Sequence, residues 1–280
     1  MSTIALLGTG LLGSGMVENL LAKGHPVRIW NRSRSKLAPL VQQGAVAAAD
    51  PADAVRGAAR VHLVLAEDTA VDAVVGQLRP GLGRGVPVVD HSTNLPAKVA
   101  ARFAALRRDG VRYVPAPVFM SPANAREGSG LMLLAGPQAD ADELTPLLAA
   151  MTGKVLHTGE RPDLAAVHKL AGNSVFFALA SAIHDVFAIG AGNGVAPAEM
   201  LKLFDVFKPG AALPWIGQRV LAGADGPTSF ELAMARKDAR LMQESAGSAR
   251  TILLPAIMAA MDAAIARGLG HADYAAFVHG

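Results

Sequence analysis

Residues 4–30 read IALLGTGLLGSGMVENLLAKGHPVRIW. Ile4 to Leu7 is a short apolar run that ends in turn residues, the pattern of a strand buried in a parallel sheet. Gly8-Thr9-Gly10-Leu11-Leu12-Gly13 follows at once, then a helical pattern from Gly15 to Lys23 and a second strand from Val27 to Trp30. Strand, glycine turn, helix and strand in about thirty residues are the setting in which a G-x-G-x-x-G turn binds a dinucleotide. Gly8 permits the tight turn, and Gly10 lets the backbone approach a pyrophosphate. Gly13 lets the helix pack close to the strand, and the helix N-terminus supplies N–H donors and a positive dipole end. Thr9, Leu11 and Leu12 complete the expected phosphate cradle.

The end of the second strand selects the dinucleotide. An acidic residue there accepts hydrogen bonds from the ribose hydroxyls of NAD. This chain has Asn31-Arg32-Ser33-Arg34-Ser35-Lys36 instead. No carboxylate is present to repel a 2′-phosphate, and the arginine fork suits one. Asn31, Arg32, Ser33 and Lys36 are therefore expected to hold NADP(H) in preference to NAD(H).

The alternation of strands and helices continues. Val61 to Ala66 reads as a strand, a helix carries Val71, Val74, Val75 and Leu78, and Val86 to Val89 reads as another strand. Pro96 opens a helix to Arg108, and Arg112 to Val114 is the next strand. Such alternation implies a parallel sheet covered on both faces, with ligands at the carboxyl ends of its strands. Leu65, Ala66 and Thr93 occupy such ends and are expected at the cofactor, with Ser92 at the substrate. Asp90 and His91 read as turn residues, with no spacing that indicates a dyad or a metal. Pro115 to Gly136 reads as a long loop followed by a strand, and a loop of that length is often functional.

From Leu164 the chain runs LAAVHKLAGNSVFFALASAIHDVFAIGAGNG. Apolar residues cover nearly every side of this helical stretch, which predicts burial between two bodies of protein. Lys169 and Asn173 stand four residues apart and so share one face. A lysine in such a rod is costly unless it has a task, a partner or a route to water. His184 lies too far along the rod to join Lys169 and reads as a hydrogen-bonded core histidine.

Beyond the rod the pattern is helical throughout, with Pro197 at a helix start, Pro214 to Leu221, Phe230 to Glu244 and Leu253 to Arg267. The expected fold class is therefore α/β: an N-terminal doubly wound parallel sheet (residues 1–160), a long interdomain helix (161–194) and an all-α C-terminal domain (195–280). The 280 residues are too many for one ordinary core, and 51% of them are hydrophobic. The 26 basic and 23 acidic residues leave a formal charge of +3, with no basic and aromatic cluster of the kind that binds nucleic acid. There is no cysteine, which excludes disulfides and thiolate metal sites, and no metal is expected. The apolar start lacks a basic n-region, and the uncharged run Leu170 to Ile183 is short for a membrane span. A cytoplasmic, membrane-free protein is expected.

Taken together, the glycine turn Gly8 to Gly13, Asp90-His91-Ser92-Thr93, Ala116-Pro117-Val118, Lys169-Leu170-Ala171-Gly172-Asn173 and Lys237-Asp238 resemble the β-hydroxyacid dehydrogenase family. The resemblance covers essentially the whole length. It implies a Rossmann domain, a long interdomain helix and a helical C-terminal domain. It also implies hydride transfer between a nicotinamide and a small aldehyde, oxo acid or hydroxy acid, and a homodimer or homotetramer. By the same resemblance Lys169 is the general acid/base, Asn173 orients the substrate, and Thr93 and Lys237 line the cofactor site. One departure stands out. Where the family has Ser-Gly-Gly to hold a substrate carboxylate, this chain has Phe119-Met120-Ser121-Pro122, and a proline offers no N–H. Phe119, Met120 and Ser121 are expected to form a bulkier, less polar substrate wall. An imine reductase-like reduction of C=N and a non-catalytic NADP-binding sensor are the alternatives.

Overall fold

The computed structural model describes residues 2–279. The chain divides into two compact units, one ending at Asn173 and the other starting at Ser174. The first unit opens with β1 (Ile4–Leu7), α1 (Leu11–Ala22), β2 (Val27–Trp30), α2 (Ala38–Gln42), β3 (Val46–Ala47) and α3 (Pro51–Val55). It continues through β4 (Arg60–Leu63), α4 (Asp68–Leu78), β5 (Pro87–Asp90), α5 (Pro96–Arg108) and β6 (Arg112–Pro115). These six strands form one parallel sheet in the order β3-β2-β1-β4-β5-β6.

Side-chain alternation along the strands builds the two faces. Ile4, Leu6, Ile29, Val89 and Val114 pack against Met16, Val17 and Leu20 of α1 and Leu40 of α2. Ala5, Leu7, Val61, Leu63, Val88 and Tyr113 point the other way, onto Val71, Val75 and Leu78 of α4 and Val55 of α3. The strand order reverses between β1 and β4, and such a switch point opens the crevice in which an α/β sheet binds its ligand.

Two sequence expectations are corrected in this unit. β4 stops at Leu63, so Leu65 and Ala66 lie in a loop rather than a strand. β1 ends at the Gly8 turn, and the ladder runs out where Leu7 pairs with Leu63. The segment 115–136 is not an open loop. It holds β7 (Val118–Phe119), α6 (Pro122–Glu127) and β8 (Leu131–Leu134). The small polar residues and prolines there are helix punctuation. Ser121 and Asn124 form a capping box, Pro122 occupies the first turn, and Gly128 at φ +71° ends α6. α7 (Gln138–Thr152) and β9 (Lys154–His157) follow, and β7-β8-β9 make a second small sheet.

α8 (Leu164–Gly192) is a single helix of 29 residues. The expectation that it is buried all round fails within the single chain. Phe176 is 60% and Phe177 70% exposed, with Val175 and Leu179 also open. The apolar pattern is present, but this chain does not itself supply the surface that would cover it. The helix has the length read from Leu164 onward, and although the uncharged run Leu170 to Ile183 reads as short for a membrane span, the whole helix passes as one by length and composition, with a mean hydropathy of 1.7. His184 is exposed rather than in a core, with Nδ1 3.6 Å from Asp185. Asp185 is the buried member of that pair. It accepts hydrogen bonds from the N–H groups of Ile252, Leu253 and Leu254, and so caps the start of a later helix.

The second unit is helical, with α9 (Pro197–Leu201), α10 (Leu203–Val206), α11 (Leu213–Ala222), α12 (Leu232–Ala246) and α13 (Leu254–Ala266). Leu232, Ala235 and Ala239 of α12 pack on Met261 and Ala264 of α13 as its core.

Candidate active site

The glycine turn is shaped by its neighbours. Gly8 has φ +105°, a region that disfavours any side chain, and a Cβ there would run into the Val64 carbonyl. A Cβ at Gly13 would overlap the Gly8 carbonyl oxygen. A Cβ at Gly10 meets no protein atom within 4 Å. The first and third glycines thus close the turn, and the second keeps its backbone open to the crevice. Asn31 ties the turn to the end of β2, since its Oδ1 accepts from Thr9 N at 3.1 Å and its Nδ2 donates to the Ser33 carbonyl at 3.0 Å.

A cleft of about 610 Å³ lies over this turn. Gly8, Gly10, Leu11, Leu12 and Gly13 line it, with Asn31, Arg32, Ser33 and Lys36 from the end of β2 and Leu65, Ala66, Ser92 and Thr93 from the ends of β4 and β5. Arg32, Ser33 and Lys36 are exposed at its rim. Thr9 does not line the cleft. It is buried beneath, and its carbonyl accepts from Ser14 Oγ at 3.1 Å. Trp30, Val64, Glu67, Ala70, Ala73, Val74, Gln77 and His91 line the cleft as well. Glu67 stands just past a strand end of the kind where the sequence places ligands; sequence reasoning missed the others, although Ala70, Ala73, Val74 and Gln77 recur at helical spacing along α4. The open Gly10 backbone and the helix N-terminus fit a dinucleotide, and the rim at the β2 end is basic.

Behind the cleft the Asp90 to Thr93 turn is fixed by buried polar groups. The Asp90 carboxylate accepts from Ser92 N at 2.9 Å, Asn94 Nδ2 at 2.9 Å and the Tyr113 hydroxyl at 2.6 Å. Burial pushes this carboxyl up, and the hydrogen bonds from Tyr113 and Ser92 oppose the push. Ser92 Oγ accepts from Leu65 N at 2.9 Å, so this serine bridges the two loops that flank the cleft. Arg60 Nε donates to His62 Nε2 at 3.1 Å, and His62 Nδ1 lies 2.9 Å from His91 Nε2. His91 Nδ1 in turn lies 2.8 Å from the Ala116 carbonyl. Arginine only donates, so His62 Nε2 accepts, and both Nδ1 atoms carry the protons. Burial holds both imidazoles neutral, His62 well below the usual range and His91 at about 4.

Lys169 and Asn173 stand on one face of α8, and Lys169 Nζ donates to Asn173 Oδ1 at 3.0 Å. Lys169 is partly buried, and burial lowers its pKa from the ordinary lysine value of 10.5. Phe119 lies against the same helix face, with Lys169 Nζ 4.1 Å from the centre of its ring. Met120 packs against the core of the first unit. Ser121 is committed to α6. Its N–H donates to Asn124 Oδ1 at 3.0 Å, its hydroxyl lies 2.6 Å from that oxygen, and its Oγ accepts from Asn124 N at 3.1 Å. Lys237 belongs to the second unit, exposed on α12 and 2.7 Å from Asp238.

The family described as the NAD binding domain of 6-phosphogluconate dehydrogenase matches residues 3–159. Among curated proteins, glyoxylate/succinic semialdehyde reductase 1 of Arabidopsis thaliana is 26% identical over 98% of this chain and 96% of its own. The 3-sulfolactaldehyde reductase of Escherichia coli is 31% identical over 64% of this chain and 61% of its own. Among solved structures, an imine reductase from Pseudomonas sp. superposes with a TM-score of 0.89 at 20% identity, covering 99% of this chain and 98% of that one. A reductive aminase from Aspergillus terreus in complex with NADPH reaches 0.86 at 20% identity, with the same coverage of each chain. At that identity the likeness of the solved structures is one of fold. With the dinucleotide crevice in place and relatives that are dehydrogenases and reductases, the chain belongs to the β-hydroxyacid dehydrogenase family and is an NAD(P)-dependent oxidoreductase acting on a CH–OH or carbonyl group.

Proposed function

We propose that the chain is an NADP(H)-dependent reductase of small carbonyl compounds, with Lys169 as general acid. The Lys169–Asn173 pair carries this reading, as a partly buried lysine whose ammonium is oriented by an amide 3.0 Å away. The nicotinamide supplies hydride to the carbonyl carbon. Lys169 donates a proton or hydrogen bond to the oxygen as negative charge builds on it, and Asn173 holds the lysine in place. The basic rim at Arg32 and Lys36, with no acid after β2, supports NADP over NAD. The NADPH complex of the Aspergillus terreus neighbour is in keeping with that choice.

Phe119 and Met120 give the wall no polar side chain, and the Ser121 groups are spent on Asn124. This supports an aldehyde without a carboxylate next to the reacting carbon, bulkier than a short 3-hydroxy acid. The same apolar wall favours an uncharged imine as the second reading, while Lys169 favours C=O. The exposed apolar residues of α8 support a homodimer or homotetramer in which a second copy covers them, and a helix covered in that way suits an enzyme in the cytoplasm.

The test is oxidation of NADPH and NADH against 2-oxo acids, semialdehydes, bulkier aldehydes and cyclic imines. The expected result is NADPH-dependent turnover, highest for uncharged aldehydes. Faster turnover of imines than of every carbonyl would replace the first reading with the second. Cofactor binding without turnover on any member would make the chain a sensor.

A further inference from the structure

Residue 119 does more than shape the wall. The tip of the Phe119 ring comes so close to α8 that a Cβ at Gly172 would collide with its Cζ atom, so the glycine is what admits the ring to this helix face. Gly172 stands one turn from Lys169, and the ring that seats on it turns its π face to the ammonium, 4.1 Å from the ring centre. That distance is well inside the range in which an aromatic quadrupole attracts a cation. Phe119 packs against the buried cluster of Leu133, Ala135 and Ala165. It cannot drift from the lysine without opening that packing.

The company of Lys169 is unusual for a partly buried ammonium. Among the described residues no carboxylate lies within 4.0 Å of it, and its polar neighbour is the neutral Asn173. Burial works against its charge. A buried carboxylate would solve that problem too well. It would hold the proton on the lysine across the whole working range and leave nothing for exchange. A ring face attracts the cation without adding a formal charge.

We propose that Phe119 is the positioning residue of Lys169 and takes the place of a counterion, holding the ammonium above the Gly172 backbone while leaving its proton exchangeable. The idea rests on the catalytic reading of Lys169 for its significance, but the pairing itself does not depend on turnover. It also gives the Phe119 departure from the family pattern a role in the acid/base group as well as in the substrate wall.

The test replaces Phe119 in the full chain with 2-fluoro- and 2,6-difluorophenylalanine, which drain the π face while their fluorines sit on the Cδ atoms, away from the Cζ and Cε atoms that press on Gly172. The pKa of Lys169 is read by NMR on protein whose lysines carry [13C]methyl groups, with its signal identified by its absence in Lys169→Arg. The expected result is a stepwise fall along the series, reaching about one pH unit. The alkaline limb of the pH–rate profile should move by the same amount. A Lys169 pKa that stays constant across the series overturns the proposal. Because the titration is read on the resting protein, it separates two failures. Normal turnover in Lys169→Ala would remove the lysine's catalytic role and leave the pairing standing.

Discussion

The Gly8 carbonyl oxygen occupies the space that a side chain at Gly13 would need, whereas the space above Gly10 holds no protein atom. Two glycines of one turn therefore answer to different demands. Gly13→Ala should cost about 1–3 kcal/mol by overpacking and lower the thermal midpoint by several degrees. Gly10→Ala should unfold like the wild type and bind NADPH about tenfold more weakly, through loss of close backbone approach. Calorimetry and fluorescence titration of both variants check this, and equal destabilisation of the two would refute it.

Arg32 stands exposed at the rim of the cleft, where β2 ends without an acid. Arg32→Ala should weaken NADPH by roughly 1.5–3 kcal/mol, the range of a charge-assisted hydrogen bond, and leave NADH almost unchanged. The ratio of kcat/KM for the two cofactors reads it out. An equal loss for both would mean that the arginine contacts no 2′-phosphate.

Lys169→Ala should lower kcat by about 10²–10⁴ while NADPH affinity holds. Reduction needs the protonated lysine, so the wild-type rate should fall as pH rises. The inflection should come below the ordinary lysine value of 10.5, because burial disfavours the ammonium. Steady-state rates across the alkaline range measure both effects. A wild-type rate that rises through that range would contradict the assignment.

His91 titrates at about 4 in the folded chain, against 6.5 for the free side chain. The folded state therefore binds fewer protons between those values, and its stability is full above pH 6.5 and declines as pH falls toward 4. A shift of that size corresponds to roughly 3 kcal/mol. Urea midpoints measured from pH 7 to pH 4 should trace the decline. The decline should be shallower in His91→Asn, whose amide keeps the bond to Ala116 without a titrating ring, while buried His62 still contributes its own share.

Light scattering should give a mass of two or four times the 28.8 kDa chain. Phe177→Asp, placed in the exposed apolar stretch of α8, should shift the mass toward a single chain at micromolar concentration. A single-chain mass for the wild type would leave that stretch unexplained by self-association.

Much of the crevice is legible in the sequence, because each glycine of residues 8–13 has one steric job and the basic run after Trp30 declares its charge openly. Lys169 and Asn173 are legible because helical spacing alone puts them on one face. Ser121-Pro122 is a local helix-start signal, but the helix it opens is only six residues long, and the reading of the segment as a loop passes over it. Other features depend on contacts far apart in sequence. The His62–His91 bond joins residues 29 apart, and His62 sits inside a strand that reads simply as apolar. Phe119 reaches Lys169 across fifty residues, and only the bare backbone of Gly172 makes room for it. The burial expected for α8 was a sound inference from pattern, but the pattern says nothing about which chain does the burying.

The line from Arg60 through His62 and His91 to the Ala116 carbonyl has one further effect. Every proton in it points the same way, and the arginine that starts it does not give up its own. A proton wire works only if its links turn over after each transfer, and these links cannot. The line insulates rather than conducts. Two buried imidazoles beside the crevice thus tie β4, β5 and the Ala116 backbone together as a fixed polar strut rather than a relay.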